Sequence, residues 1–276
     1  MIQALPAQIE SHLLEKTRRL FEPVDDADVE VIHRMRVASR RLRVGLRCFA
    51  SLFPENELTQ IQRQLRRTTR ALSAIRTLDV NAQLLRRAPA SPARTTLIRS
   101  LLAERVALAG KLRDWMGTLR TSHIDLRVQA LVMKARERDP KRLLKDANEQ
   151  VEDLREALRK RYRKFRDKRG RQAFHKMRIA AKRYRYALES SEAIFPVKVG
   201  ARIRAVERLQ DLMGACHDLE VLLEHLRQAD KTLARDVGGM IEFFQQHYDR
   251  QFGEFKAYLR EDRLWLKKVK LQLPHD

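Results

Sequence analysis

The chain has 276 residues, 43% of them hydrophobic and 34% charged, and its 58 Lys and Arg against 36 Asp and Glu give a formal net charge of +22. This apolar fraction excludes a disordered chain, and no stretch long enough to cross a bilayer is free of charged residues, which excludes a spanning helix. Self-repulsion of this size works against compaction and favours a polyanionic partner, whether nucleic acid, an anionic membrane or an inorganic polyanion.

Read in chain order, nearly everything is helix. The 9 Gly and 8 Pro fall mostly at the edges of periodic segments whose interiors are rich in Leu, Ala, Arg, Glu and Lys. The N-terminal "MIQALPAQIESHLLEK" lacks the basic and apolar regions of a secretory signal, and a helix is expected near residues 7–21. "FEPVDDADVE" then stops that helix and supplies acidic residues for the first turn of the next, at 27–53. Further helices are expected near 55–87, 92–121, 124–138, 141–168, 171–194, 198–228 and 231–268. "LFPENE", "RAPASPA", "RDPKR", "KRGR" and "IFPVKVG" separate them. No strand-like alternation occurs, so the fold class is all-α. Cys48 and Cys216 sit in apolar helical contexts and make no disulfide framework, which fits a reduced, cytoplasmic protein.

An internal repeat organises the chain. Sliding the sequence so that His33 falls on His175 also sets Met35 on Met177, Arg36 on Arg178, Ala38 on Ala180, Arg41 on Arg183 and Arg43 on Arg185. Arg40 then meets Lys182, and Leu46, Phe53 and Pro54 meet Leu188, Phe195 and Pro196. With one residue dropped, "LSAIRTLDV" from Leu72 aligns with "MGACHDLEV" from Met213, and Arg63 and Arg67 align with Arg204 and Arg208. Two related halves follow, 1–138 and 139–276.

At about 100° per residue, Met35, Ala38, Leu42, Leu46, Phe49 and Phe53 share one side of the second helix, an apolar core face. His33, Arg36, Arg40, Arg43 and Arg47 share another side, one helical turn apart, with few acids between them. The second copy repeats the ladder as His175, Arg178, Lys182 and Arg185, with Glu189 at its far end. Arg63, Arg66, Arg67 and Arg70 lie opposite Ile61, Leu65 and Leu72, while Arg204 and Arg208 lie opposite Val206 and Met213. A single basic face is ordinarily just solvated, and like charges at this spacing repel. Retention of the cation positions in both halves, alongside the core positions, argues for a shared ligand.

"HRMRVASRRLR" and "HKMRIAAKRYRYALE" resemble the paired signatures of the CHAD family, the conserved histidine α-helical domain, and the resemblance spans almost the whole chain. "LSAIRTLDV" and "MGACHDLEV" are similar to that family's second motif, a Leu-Gly followed by Arg-Asp-x-Asp-Val. The first copy departs from it with Ser73 for the glycine and Thr77 for an aspartate, and the second with His217 for the arginine. The resemblance implies two duplicated antiparallel four-helix bundles related by a pseudo-twofold, with a basic channel between them that binds inorganic polyphosphate. Some members are joined to a CYTH triphosphatase domain, of whose acidic strands nothing is found here, so a stand-alone, non-enzymatic binder located at cytoplasmic polyphosphate granules is expected. Carried over by position, its ligands are His33, Arg36, Arg40, Arg43 and Arg47 from the first half and His175, Arg178, Lys182 and Arg185 from the second. Arg63, Arg67, Arg204 and Arg208 join them from the neighbouring helices, with Arg41 and Arg183 at the channel rim.

Polyphosphate offers charged oxygens at every unit and no bases to read, so its site needs many donors along a line. Arginine grips phosphate through a planar fork and lysine acts as a mobile point charge. His33 and His175, titrating near neutrality, are expected to tune binding with pH. Non-specific nucleic-acid binding is the main rival, although aromatics are only 6% of residues and do not interleave with the basic stripes. No HExxH motif occurs, and "VGGM" at 237–240 lacks the lysine of a phosphate-binding loop, so neither catalysis nor a cofactor is expected. "HDLEV" around His217 is read as a helix-capping or ion-pairing stretch in preference to a metal site. Trp115 and Trp265 are too isolated to anchor the chain at a membrane surface.

Overall fold

The computed structural model describes residues 5–21, 28–50, 53–133, 139–168, 170–195, 199–233, 236–261 and 263–269. Among these residues the chain is all-α. It runs through α1 (Leu5–Leu20), α2 (Val29–Cys48), α3 (Glu55–Leu85), α4 (Pro92–Thr121), α5 (Ile124–Met133), α6 (Pro140–Lys168), α7 (Arg171–Glu192), α8 (Gly200–Leu233) and α9 (Asp236–Glu261). A short 3-10 turn follows at Leu264–Leu266.

Local chemistry sets several of these boundaries. Asp28 caps α2, its side chain accepting from the backbone N–H groups of Glu30 and Val31 at 2.8 and 3.1 Å. Ser91 caps α4 in the same way, with Pro92 just inside the helix where its missing N–H costs nothing. Between α4 and α5, His123 takes a left-handed conformation at φ 49°, reversing the chain over a few residues.

The helices pack in an order that repeats. α1 packs on α2, α2 on α3 and α3 on α4; correspondingly α6 packs on α7, α7 on α8 and α8 on α9. The two series meet where α2 touches α7 and α3 touches α8, each helix against its repeat-related counterpart. The apolar seams fill this interior: Met35, Leu42, Leu46, Met177, Tyr184 and Leu188 are all fully buried. One core runs continuously through residues of both halves, and a second gathers the far ends of α3 and α8 with α4 and α9. Gly45 marks the tightest approach, since a β-carbon there would lie 2.6 Å from Leu13 Cδ2 of α1. The thiols of Cys48 and Cys216 are buried, unbridged and pushed up to about 12 by burial.

Several boundaries differ from the sequence expectation. α2 ends at Cys48 instead of 53, and residues 51–52 of the expected span lie outside the described ones. α8 continues past 228 to Leu233, so the last helix begins at Asp236 instead of 231. The last helix stops at Glu261 instead of 268, because the segment after it folds back. There Trp265 is fully buried edge-on against Tyr162, 5.2 Å away, and Arg155 donates to the Leu266 carbonyl. The junction of the expected halves abuts residues 134–138, outside the described ones.

Candidate functional site

A cleft of about 740 Å³ opens where the two helix series meet, walled by α2 and α3 from one half and α7 and α8 from the other. The pitch of α2 projects His33, Arg36 and Arg40 into it, and that of α7 projects Arg178 and Lys182. These are the ladder positions, placed opposite the seams that hold both helices in the core. Of the two stretches aligned in the repeat, α3 contributes Ser73, Arg76 and Thr77, while α8 contributes Gly214, His217 and Asp218. Repeat-related positions thus line opposing walls of one cavity.

The cations here outnumber the acids that could neutralise them. Arg36, Arg40, Arg76, Arg178 and Lys182 form no ion pair among the described residues, and the carboxylates of the lining are Asp211 and Asp218. Arg40 donates to the Ser73 hydroxyl at 3.1 Å. The Nε atoms of Arg36 and Arg178 are buried without a hydrogen-bond partner. Burial and the adjacent Arg40 pull the Arg36 guanidinium down to about 10, and burial lowers Arg178 as well. Lys182 bears the largest effect: burial, followed by Arg178, Arg40 and Arg36, brings its ammonium down to about 6. Asp218 is raised by burial, against the pull of Arg178 and Lys182. Burial and mutual repulsion thus work against the charge of these cations, most of all that of Lys182.

At one rim the charges are already matched. Arg185 pairs with Glu189 and Glu207, both at 2.6 Å, and Arg41 reaches Glu189 at 2.9 Å. Both arginines line the cleft, but with their charge held by carboxylates of this chain.

Apart from His33, the remaining residues singled out from the sequence lie elsewhere. His33 lines the cleft, its pKa lowered by burial and Arg36; His175 is exposed outside the lining, with its ring 5.7 Å from that of His217. Arg43 and Arg47 continue the α2 ladder beyond the cavity. Arg63, Arg204 and Arg208 are exposed away from it, and Arg67 turns toward α4, its guanidinium 3.8 Å above the Trp115 ring. Arg183 does not line the cleft either.

Sequence reasoning overlooked Arg76 and Asp218 as cavity groups, although the alignment of "LSAIRTLDV" with "MGACHDLEV" already marked the segments that carry them. The same segments also supply struts. Buried Asp79 accepts from Arg105 of α4 at 2.5 Å, and its counterpart Glu220 pairs with Arg171 at 2.8 Å. His217, pushed down to about 3 by burial and the nearby Arg178, stays neutral beside Glu220. No cluster of three or more His, Cys, Asp or Glu side chains among the described residues is arranged to hold a metal ion. Nor is any described helix long and apolar enough to cross a membrane.

Comparison with known proteins bears on this arrangement. No curated protein matches the chain. Among solved structures it is similar to the CHAD domain from the plant Ricinus communis, at 24% identity and a TM-score of 0.69, over 99% of this chain and 94% of that one. It is also similar to PptA from Streptomyces chartreusis, at 18% identity and a TM-score of 0.63, over 94% of this chain and 98% of that one. These likenesses establish the all-α fold. Residues 7–227, which include every wall of the cleft, match the sequence profile of the CHAD domain, and the chain belongs to the CHAD domain family.

Proposed function

We propose that the cleft binds inorganic polyphosphate, as a non-catalytic module located at cytoplasmic polyphosphate granules. The observation that carries this reading is the set of unpaired cations, Arg36, Arg40, Arg76, Arg178 and Lys182, brought from both halves into one partly enclosed space. The CHAD family's link to polyphosphate supports it. Guanidinium groups whose Nε atoms lack partners are placed to grip phosphate oxygens, and each charge-assisted bond so formed is worth about 1.5–3 kcal/mol. The lining favours this ligand over nucleic acid. Its single aromatic, Tyr186, offers no run of rings on which successive bases could stack.

The test is a titration of wild type and the Arg36→Ala/Arg178→Ala variant with polyphosphate, followed by competition against single- and double-stranded DNA. Loss of two or more charge-assisted bonds weakens polyphosphate binding by about 100-fold or more, with helicity retained. Unchanged affinity in the variant, or displacement of polyphosphate by DNA at lower concentration, overturns the assignment. Steady release of orthophosphate from polyphosphate by the purified protein overturns its non-catalytic part.

A further inference from the structure

α4 packs on α3, α5 and α9 and buries Leu97, Leu101, Leu112, Met116 and Leu119 on one side. Its opposite side carries Leu102, Ala103, Val106 and Ala107 in the open, with Val106 69% and Leu102 40% exposed. Gly110 extends this strip, and a β-carbon added there would meet nothing within 4 Å. A single leucine or valine on a surface is ordinary, but here two large and three small apolar positions adjoin on one helix face. α9 holds the corresponding place in the second series of helices. Its outward positions include Glu242, Gln246, Asp249, Arg250, Glu254 and Lys256, an ordinary solvated face. The strip on α4 is therefore not something an outer helix of this fold requires.

Charge around the strip indicates what covers it. Between residues 99 and 114 the exposed charges are Arg99, Lys111 and Arg113 against Glu104 and Asp114, nearly balanced in a chain of net charge +22. A second copy therefore meets little repulsion at this face, whatever it meets elsewhere. Arg99 and Asp114 have no ion-pair partner among the described residues and stand on the strip side, about 22 Å apart along the helix. Their midpoint falls between Val106 and Ala107, at the centre of the strip. Two copies of α4 laid antiparallel about that midpoint set Arg99 of each against Asp114 of the other, Ala103 against Gly110 and Val106 against Ala107. Lys111 falls against Leu102, along which its methylene stem can lie. No position on the face then meets its own sign, whereas a parallel pairing sets Arg99 on Arg99 and Asp114 on Asp114. We propose that this face of α4 is a self-association surface, on which a second copy of the chain packs its own α4 antiparallel to make a twofold dimer. The pairing is independent of what fills the cleft, and it brings two clefts into one particle.

Sedimentation equilibrium of the full chain, at physiological salt and without polyphosphate, tests this. The contact is shorter than a standard interface of about 1,600 Å², so wild type dimerises with a Kd of about 10–100 µM. Val106→Glu, at a position too exposed to touch the core, sets two carboxylates beside the twofold axis and weakens the dimer by about 10-fold or more. Arg99→Asp brings like charges together and weakens it by about 3- to 10-fold, and Arg99→Asp/Asp114→Arg restores it to within about twofold of wild type. Each variant keeps the helicity and Tm of the wild-type chain. A wild type that stays monomeric up to about 300 µM overturns the surface, whether or not the face then takes up a different protein. A dimer that Val106→Glu leaves intact overturns it as well, by placing the contact elsewhere. Loss in Arg99→Asp that the double exchange does not restore overturns the antiparallel pairing. Polyphosphate binding by Val106→Glu is read alongside, so that failure of the dimer and failure of the cleft assignment are separate results.

Discussion

Lys182 provides the sharpest test of how the cavity works. Its ammonium, buried among Arg178, Arg40 and Arg36 with Asp218 opposing their effect, titrates at about 6 against an ordinary lysine near 10.4. At pH 8 roughly one molecule in a hundred then carries the charge in the ligand-free protein. A polyanion lodged against Lys182 removes the cause of the depression, and the ammonium returns. Binding at pH 8 therefore takes up about one proton, and above pH 6 the affinity falls by up to about tenfold per pH unit. Titration calorimetry in buffers of different ionisation enthalpy reads this directly, the slope of observed against buffer enthalpy being the number of protons gained. Two histidines of the same lining, His33 and His217, are also held low and neutral, so Lys182→Met is the necessary control. In that variant the uptake drops close to zero. Absence of uptake in wild type, or its persistence in Lys182→Met, refutes the argument, the second outcome assigning the proton to a histidine. A linked consequence appears in stability. Between about pH 6 and 10 the unfolded chain holds a proton on Lys182 that the native state has released. This group's contribution to the stability of the ligand-free protein therefore rises with pH over that window, by up to about 1.4 kcal/mol per unit.

Three further outcomes follow from the same geometry. Tripolyphosphate at about 100 times its Kd stabilises the protein by about 2.7 kcal/mol, a Tm increase of about 5–10 °C in differential scanning fluorimetry, and a flat Tm contradicts binding to the folded state. The ligand-free Arg36→Ala variant melts at or above the wild-type temperature, because that half-hidden guanidinium is unpaired and repelled by Arg40 and Arg76; a fall of several degrees marks a structural role instead. Arg105→Leu strands the buried Asp79 carboxylate and costs about 3–5 kcal/mol in urea unfolding, most of it restored by adding Asp79→Leu.

What the sequence determined by itself was the periodicity and its duplication. Helical spacing placed Met35, Leu42, Leu46 and Met177 on apolar seams, and all are buried, because a 3.6-residue repeat leaves an amphipathic helix one way to pack. The ladder positions Arg36, Arg40, Arg178 and Lys182 were legible as cations on a common side, and they meet in one cleft because α2 packs on α7. Periodicity assigns a residue to a face of its own helix and says nothing of what stands opposite. Only the tertiary structure decided that Arg185 and Arg41 are matched by Glu189, that Arg67 covers Trp115, and that His175 lies outside the cavity that His33 lines. The same holds for Arg76 and Asp218, which enter the site through the crossing of α3 and α8. It also holds for Lys182, whose charge is governed by burial and by arginines distant in sequence, quantities that exist only once the helices have assembled.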